Sequence, residues 1–304
     1  MNFQPIVSDQ DWSTYSHIRN RYQWSHPFSA DECKQSYLGH GVHRKQSAWL
    51  GKIGDEVKVA VMTSEAMNAS DGRHWISVFV DPSNPEVHDH AVTGLSEAHR
   101  IVGEFGGSQV MIEARSDCPA MISALDELGF EKSLTLPCSA IDVAKSDFES
   151  QAGVVSFATF FAVHPSDGVR RLWRCEMDIA ADLPLPFPFV ETPFEKFQES
   201  ILQPHVDLAS KFLMFEDGEV KGLTQLFTNE VDPKVAVTGL TGTRREFRRQ
   251  GVATRLKQHS ISWAKERGVE QIFTDNEENN PMFQLNLQLG FRRVFDYVVY
   301  SKPC

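Results

Sequence analysis

No stretch of the 304-residue sequence reaches the roughly 18 consecutive apolar residues that a helix needs to span a bilayer. The opening residues MNFQPIVSDQDW also lack the basic-then-apolar pattern of a secretory leader, so the sequence predicts a cytoplasmic protein with no membrane partner. Cysteine is sparse: Cys33, Cys118, Cys138, Cys175 and Cys304 are odd in number, widely spread and never spaced Cys-x-x-Cys. That pattern argues against a disulfide framework or a zinc ribbon and for reduced thiols. Positive charge is in deficit, with 30 Lys and Arg against 41 Asp and Glu for a net charge of -11, which disfavours broad binding to nucleic acid or anionic lipid. Hydrophobic residues at 41% and charged residues at 23% are ordinary for a folded protein and exclude collagen-like, mucin-like and wholly disordered readings.

The length suits two compact units of similar size, and the chain carries traces of a duplication. Glu56-Val57-Lys58 recurs as Glu219-Val220-Lys221, each after a Gly/Asp turn between apolar stretches, which reads as a hairpin. Met121 to Phe130 (MISALDELGF) recurs as Met282 to Phe291 (MFQLNLQLGF), each an amphipathic helix ended by Leu-Gly-Phe, with the glycine as C-terminal cap. Two matches in the same order at nearly the same shift predict tandem copies of one α/β fold, a mixed and mostly antiparallel sheet flanked by helices. The boundary is expected in the polar stretch 144–152, giving domains 1–148 and 149–304. In the second copy the pattern predicts a short strand at 153–162, a helix at 168–180, a hairpin at 210–229, a strand at 234–243, a long helix at 250–267, a strand at 269–275, a helix at 280–289 and terminal strands at 292–301. Pro184, Pro186, Pro188 and Pro193 make 182–194 a stiff loop, whose Phe187 and Phe189 would either cap a pocket or pack into the core.

Val235 to Gly268 carries the chemistry. It starts with β-prone residues and ends as an amphipathic helix with Val252, Ala253, Leu256, Trp263 and Ala264 on its apolar side. Between them, Arg248-Arg249-Gln250-Gly251-Val252-Ala253 puts Gly and Ala where a ligand can approach the first helical amides. Such amides, with the helix dipole behind them, favour an anion such as a pyrophosphate. Arg244, Arg245, Arg248 and Arg249 would add to that field; as an RNA-binding patch the cluster lacks interleaved aromatics beyond Phe247. Lys257, Lys265 and Arg267 read as the solvated face of the helix.

Strand, Arg/Gln-x-x-Gly-x-Gly/Ala turn, helix, strand and an Asn-containing helix ending Leu-Gly-Phe resemble the GCN5-related N-acetyltransferase (GNAT) superfamily over most of 153–304. The run Thr274 to Met282 and the tandem layout are similar to two-domain acetyltransferases of the mycothiol synthase type. The resemblance implies that the turn amides from Arg248, Arg249, Gln250, Gly251, Val252, Ala253 and Thr254 hold the pyrophosphate of acetyl-CoA as co-substrate. It implies that Leu240, Thr241, Gly242 and Thr243 pair with the pantetheine arm, and that Asn279 contacts it. An extended arm added to a splayed strand edge satisfies backbone groups that would otherwise lack partners, and an amide near Thr241 or Gly242 would polarise the thioester carbonyl. Two family residues are missing. Asn286 stands where a thiolate-protonating tyrosine is common, and Val235 where a strand acid is common. Asn286 can donate a hydrogen bond but cannot transfer a proton. The candidates for proton transfer are therefore Glu176, taken as base, then Glu230, Asp232, Tyr297 and Tyr300. The expected reaction is N-acetylation of a primary amine on a small-molecule acceptor by direct attack, in a monomer or homodimer. The alternatives are a catalytically silent CoA-binding or sensing module and a protein N-acetyltransferase.

In the first copy, Val87, His88, Asp89, His90, Ala91 and Val92 fall opposite the turn. A histidine in place of the glycine, with Glu86 and Asp89 beside it, disfavours a phosphate there. His88-x-His90 with His99, and His40-x-x-His43, have spacings that a metal accepts, but no Cys-rich or carboxylate-histidine framework accompanies them. They read as exposed loop histidines, and no metal is expected. Calorimetric titration with acetyl-CoA is expected to give one site per chain; two equivalent sites would overturn the assignment of the first copy.

Overall fold

The computed structural model describes residues 1–39, 45–66, 71–183, 189–203 and 206–304. The chain divides into two compact units, Met1–Pro137 with Phe295–Cys304, and Cys138–Val294. This differs from the sequence reading of 1–148 and 149–304, because the last strand is used by the first unit and the end of an earlier strand by the second.

The elements run β1 (Asn2–Pro5), α1 (Asp9–Tyr22), α2 (Ala30–Gly39), β2 (Gln46–Ile53), β3 (Glu56–Glu65), β4 (Arg73–Val80), α3 (Val87–Glu104), β5 (Gln109–Arg115), α4 (Pro119–Glu127) and β6 (Glu131–Asp142). They continue with β7 (Val154–Ser156), α5 (Phe157–Val163), α6 (Gly168–Ala180), α7 (Phe194–Ile201), β8 (Lys211–Glu216), β9 (Glu219–Thr228), β10 (Val235–Thr243), α8 (Val252–Glu266), β11 (Gln271–Asp275), α9 (Pro281–Gln288) and β12 (Arg292–Pro303). The strands of the first unit lie in the order β1-β2-β3-β4-β5-β12 and those of the second in the order β6-β11-β10-β9-β8-β7. Each is a mixed sheet with one parallel pairing among antiparallel ones, β4 with β5 and β10 with β11.

Both duplicated motifs take the expected form. Glu56 and Glu219 open the second strand of hairpins β2–β3 and β8–β9, after turns with Gly54 at φ 60° and Gly218 at φ 80°. Helices α4 and α9 both start with proline and end at Leu-Gly-Phe, with Gly129 at φ 72° and Gly290 at φ 96°. The left-handed glycine stops each helix and turns the chain into the next strand.

One local expectation fails, and two other segments gain detail. The strand expected over 153–162 is strand only at Val154–Ser156; Ser156 caps Phe157–Val163 as a helix by accepting the Thr159 N–H, and Phe157 and Phe160, one helical turn apart, enter the core. Helix α7 lies just past the proline stretch, with Pro193 at its N-cap; Pro184, Pro186, Phe187 and Pro188 lie outside the described residues. Phe189 is half-buried. The polar stretch 144–152 is no free linker: Phe148 packs on the second unit's core, the Gln151 N–H donates to His259 Nδ1 at 3.1 Å, and Lys265 Nζ donates to the Ser146 carbonyl.

The second unit has a core on each sheet face. Phe212, Met214 and Leu226 pack with Val252, Leu256 and Ile261 of α8, while Leu213, Val220 and Leu223 pack with Leu172, Cys175 and Ile179 of α6. Helix α8 comes so close to the sheet that a Cβ on Gly222 would lie 2.5 Å from the Gly242 carbonyl oxygen and 2.9 Å from Val252 Cγ1. Gly222→Ala is therefore expected to cost about 1–3 kcal/mol by overpacking, measured as a lower urea midpoint of the second unit's transition; an unchanged midpoint would show that β9, β10 and α8 adjust freely.

Candidate active site

Strand β10 is parallel to β11 only over Val235–Val237, opposite Gln271–Phe273. Its antiparallel register with β9 slips between Thr238 and Thr241, so Gly239 and Leu240 form a bulge. Past the bulge, Thr241, Gly242 and Thr243 pair with Thr224, Leu223 and Gly222 of β9 and have no register partner in β11. Leu240–Thr243 therefore offer one edge of backbone donors and acceptors. Small residues let neighbours close in: a Cβ on Gly242 would meet Ile179 Cγ2 at 2.3 Å, and one on Gly239 would meet the Phe227 ring at 2.4 Å and Gln225 Oε1 at 3.3 Å.

The chain then passes through a 3-10 turn at Arg245–Phe247 and enters α8 over two left-handed residues, Arg249 at φ 62° and Gly251 at φ 75°. Gly251 is the N-cap, and no side chain caps the helix. The first-turn amides of Val252, Ala253 and Thr254 are thus free of a side-chain acceptor, behind an exposed run from Arg248 to Gly251. Backbone alternating in this way makes an anion-binding concavity.

The arginine cluster is less positive than its sequence suggests. Arg244 pairs with Asp178, Glu219 and Glu246, and Arg245 and Arg248 both pair with Asp182, just after α6. Both guanidiniums hold the Asp182 carboxyl far below the usual carboxylate range. Among the described residues, Arg249 alone of the four has no ion-pair partner.

A polar row crosses the sheet to the bulge on the face that α6 covers. Lys211 of β8 is opposite Gln225 of β9, and Gln225 borders Gly239. Gln225 Nε2 donates to Glu176 Oε2 at 3.2 Å from α6 above. Burial raises the Glu176 carboxyl to about 7, with Lys211 and Gln225 opposing the shift. Burial lowers the Lys211 ammonium to about 8, with Asp207 and Glu176 opposing. A carboxyl near neutrality at the end of a strand bulge suits a general base.

The other sequence candidates fall elsewhere. Glu230 is exposed, and Asp232 accepts the Lys234 N–H in a turn. Asn286 is fully buried in α9; its Nδ2 donates to Asn276 Oδ1 at 2.6 Å and its Oδ1 has no protein partner among the described residues. Asn279 is exposed and donates through its backbone N–H and its Nδ2 to Glu277. Tyr300 belongs to the first unit, paired with Ile112 and packed in that unit's core, and Tyr297 there donates to Gln23 Oε1 at 3.1 Å. Sequence reasoning missed Lys211 and Gln225; their one signal is a lysine on the apolar, helix-facing side of the strand KFLMFE. Lys257 is a correction. It is 2% exposed rather than solvated, with Nζ 3.4 Å from Thr238 Oγ1, and burial lowers it to about 7. Lys265 and Arg267 are exposed, Arg267 over the Trp263 ring.

In the first unit α3 begins at Val87, so His88 and His90 are helical, not in a loop. His90 is buried, His88 faces Asp89 and Glu127, and His99 contacts the Pro303 carbonyl. His40 and His43 lie outside the described residues.

Residues 170–291 match the model of the Acetyltransferase (GNAT) family. A comparison with curated protein sequences finds no match. Among solved structures the chain is similar to a GCN5-related N-acetyltransferase from Sphaerobacter thermophilus, with a TM-score of 0.73 and 15% identity over 99% of this chain and 95% of that one. It is also similar to a tandem GNAT protein from the clavulanic acid biosynthesis pathway, with a TM-score of 0.71 and 16% identity over 99% and 98% of the two chains. A GNAT-family acetyltransferase from Colwellia psychrerythraea aligns over 100% of both chains with a TM-score of 0.63 and 11% identity. At these identities the likeness is one of fold, the tandem GNAT fold.

A Cβ on Gly251 would meet nothing within 4 Å, so the turn can be blocked without disturbing packing. Gly251→Glu is expected to abolish acetyl-CoA binding by calorimetry while costing only about 1 kcal/mol for the left-handed backbone; retained affinity would remove the anion site from this turn.

Proposed function

We propose, from the match of residues 170–291 to the GNAT acetyltransferase family model, that the second unit moves an acetyl group from acetyl-CoA to a primary amine of a small molecule. The observation that carries this reading is the pairing of an uncapped, left-handed entry into α8 with a β10 edge that has lost its neighbour. Val252, Ala253 and Thr254, with Arg249, suit the pyrophosphate, and Leu240–Thr243 suit the extended arm. Asn279 is kept as a contact to that arm, which requires its side chain to leave Glu277. Acetyl-CoA supplies an activated thioester when bound.

This chain's own contribution is then position and proton handling. Glu176, beside the bulge and near neutrality, takes the proton that makes the acceptor amine nucleophilic. The N–C bond forms as the C–S bond breaks, amides of the bulge stabilise the oxyanion between, and the departing sulfur's proton comes from solvent. Asn286, buried and bonded to Asn276, has no proton to give and supports the packing of α9. Tyr300 has no place in this scheme. The first unit is read as a degenerate copy without a phosphate-binding turn, since its α3 opens with Val87, His88 and Asp89 after Glu86. The cytoplasm remains the proposed location.

Release of free thiol from acetyl-CoA over a panel of amines tests the reaction. The rate is expected to rise as Glu176 ionises, with a midpoint near pH 7. Glu176→Gln is expected to lower kcat about 10²–10⁴-fold and to remove that limb. Tight acetyl-CoA binding without turnover of any amine would favour a silent CoA-binding module instead.

A further inference from the structure

Lys211 is the least explained group near the site. Its side chain leaves β8 on the α6 face, and the residue is 4% exposed. A buried ammonium ordinarily has a carboxylate or several carbonyls around it, because losing water without replacement costs several kcal/mol. Here Nζ lies 4.1 Å from the centroid of the Phe227 ring and has neither a hydrogen-bond acceptor nor an ion-pair partner among the described residues. Its nearest negative charges are otherwise engaged. Asp207 is exposed and accepts the Ala209 N–H, and Glu176 accepts from Gln225. Glu176 and Lys211 feel each other electrostatically without closing into a pair.

The fold thus holds one negative and one positive group apart, on either side of Gln225 and next to the bulge at Gly239. Lys211 is the cross-strand neighbour of Gln225, and Gln225 donates to Glu176, so the two charges stand on one face with a single residue between them, an arrangement that suits a small zwitterion. The one charge of a lysine matches the single charge of a carboxylate better than the greater charge of a phosphate.

We propose that the acceptor is an α-amino acid, or an equally short amino carboxylate, whose carboxylate pairs with Lys211 while its amine faces Glu176. This rests on the acetyl-transfer reading of the same site and adds the substrate class. Lys211 is then a specificity-determining residue: the acceptor carboxylate replaces the water its ammonium lost, and amines lacking that carboxylate leave it unpaired.

The test compares leucine, phenylalanine and glutamate with the amines formed by decarboxylating each, in wild type and Lys211→Met, with acetyl-CoA affinity checking that each protein is folded. Wild type is expected to acetylate at least one amino acid with kcat/KM about 10- to 100-fold above its decarboxylated partner, the size of one charge-assisted hydrogen bond. Lys211→Met is expected to erase that preference by raising KM for the amino acid, leaving acetyl-CoA affinity unchanged. Equal rates with and without the carboxylate, or a preference that survives Lys211→Met, would overturn the proposal and leave acetyl transfer standing. Calorimetric binding of these amino acids that depends on Lys211 but leads to no acetylation would support the site and overturn acetyl transfer. Neither binding nor acetylation of any amino acid would overturn the proposal.

Discussion

Strand β10 holds to β11 for three residues and then leaves it, and the functional reading of the second unit depends on that departure. A parallel pair fully zipped along its length would bury the backbone groups of Leu240–Thr243 in the sheet. The bulge at Gly239 and Leu240 turns the strand aside, and the left-handed pair Arg249 and Gly251 brings the chain back into α8 with its first amides uncapped. These two irregularities thus yield two kinds of free backbone donor, a strand edge in the C-terminal part of β10 and a helix start past it. Both are costly unless solvent or a ligand meets them.

The face under α6 adds ionisable groups that burial has drawn toward neutrality. Glu176 is raised and Lys211 lowered because each has lost water that the other only partly replaces. Elsewhere the unit settles its charges: Asp182 takes Arg245 and Arg248, and Arg244 is ringed by Asp178, Glu219 and Glu246. Charge left without a close partner at Lys211, beside the bulge, contrasts with that neutralisation. Lys257 is a second buried lysine, but it sits on the α8 face, within reach of Thr238 Oγ1 and over Phe291.

Much of the second unit was legible because its signals are local. The Leu-Gly-Phe helix ends, the hairpin at Glu219 and the Gly251 turn each follow from a residue whose backbone geometry is nearly forced. What could not be read depended on distant partners or on residue type opposing position. The aromatic run from Phe157 to Val163 is β-prone, yet the Ser156 cap and the spacing of Phe157 and Phe160 make it a helix. Lys257 falls one turn from Ala253 and Ile261 on the inward side of α8, but its charge argued for solvent. Asp182 neutralises arginines 63 and 66 positions away, and strand β12 serves the first unit's sheet from the far end of the chain. Glu176, the carboxylate proposed as base, was already a candidate in the sequence; the lysine on the same face came only from the strand register.

A crystal structure of the protein with acetyl-CoA tests the central claim most directly. The account predicts pyrophosphate density against the amides of residues 249–254, with the pantetheine arm along Leu240–Thr243 and the acetyl group at the bulge below Glu176. Density for the nucleotide at the start of α3, or a turn at Gly251 that stays empty at saturating acetyl-CoA, would contradict it.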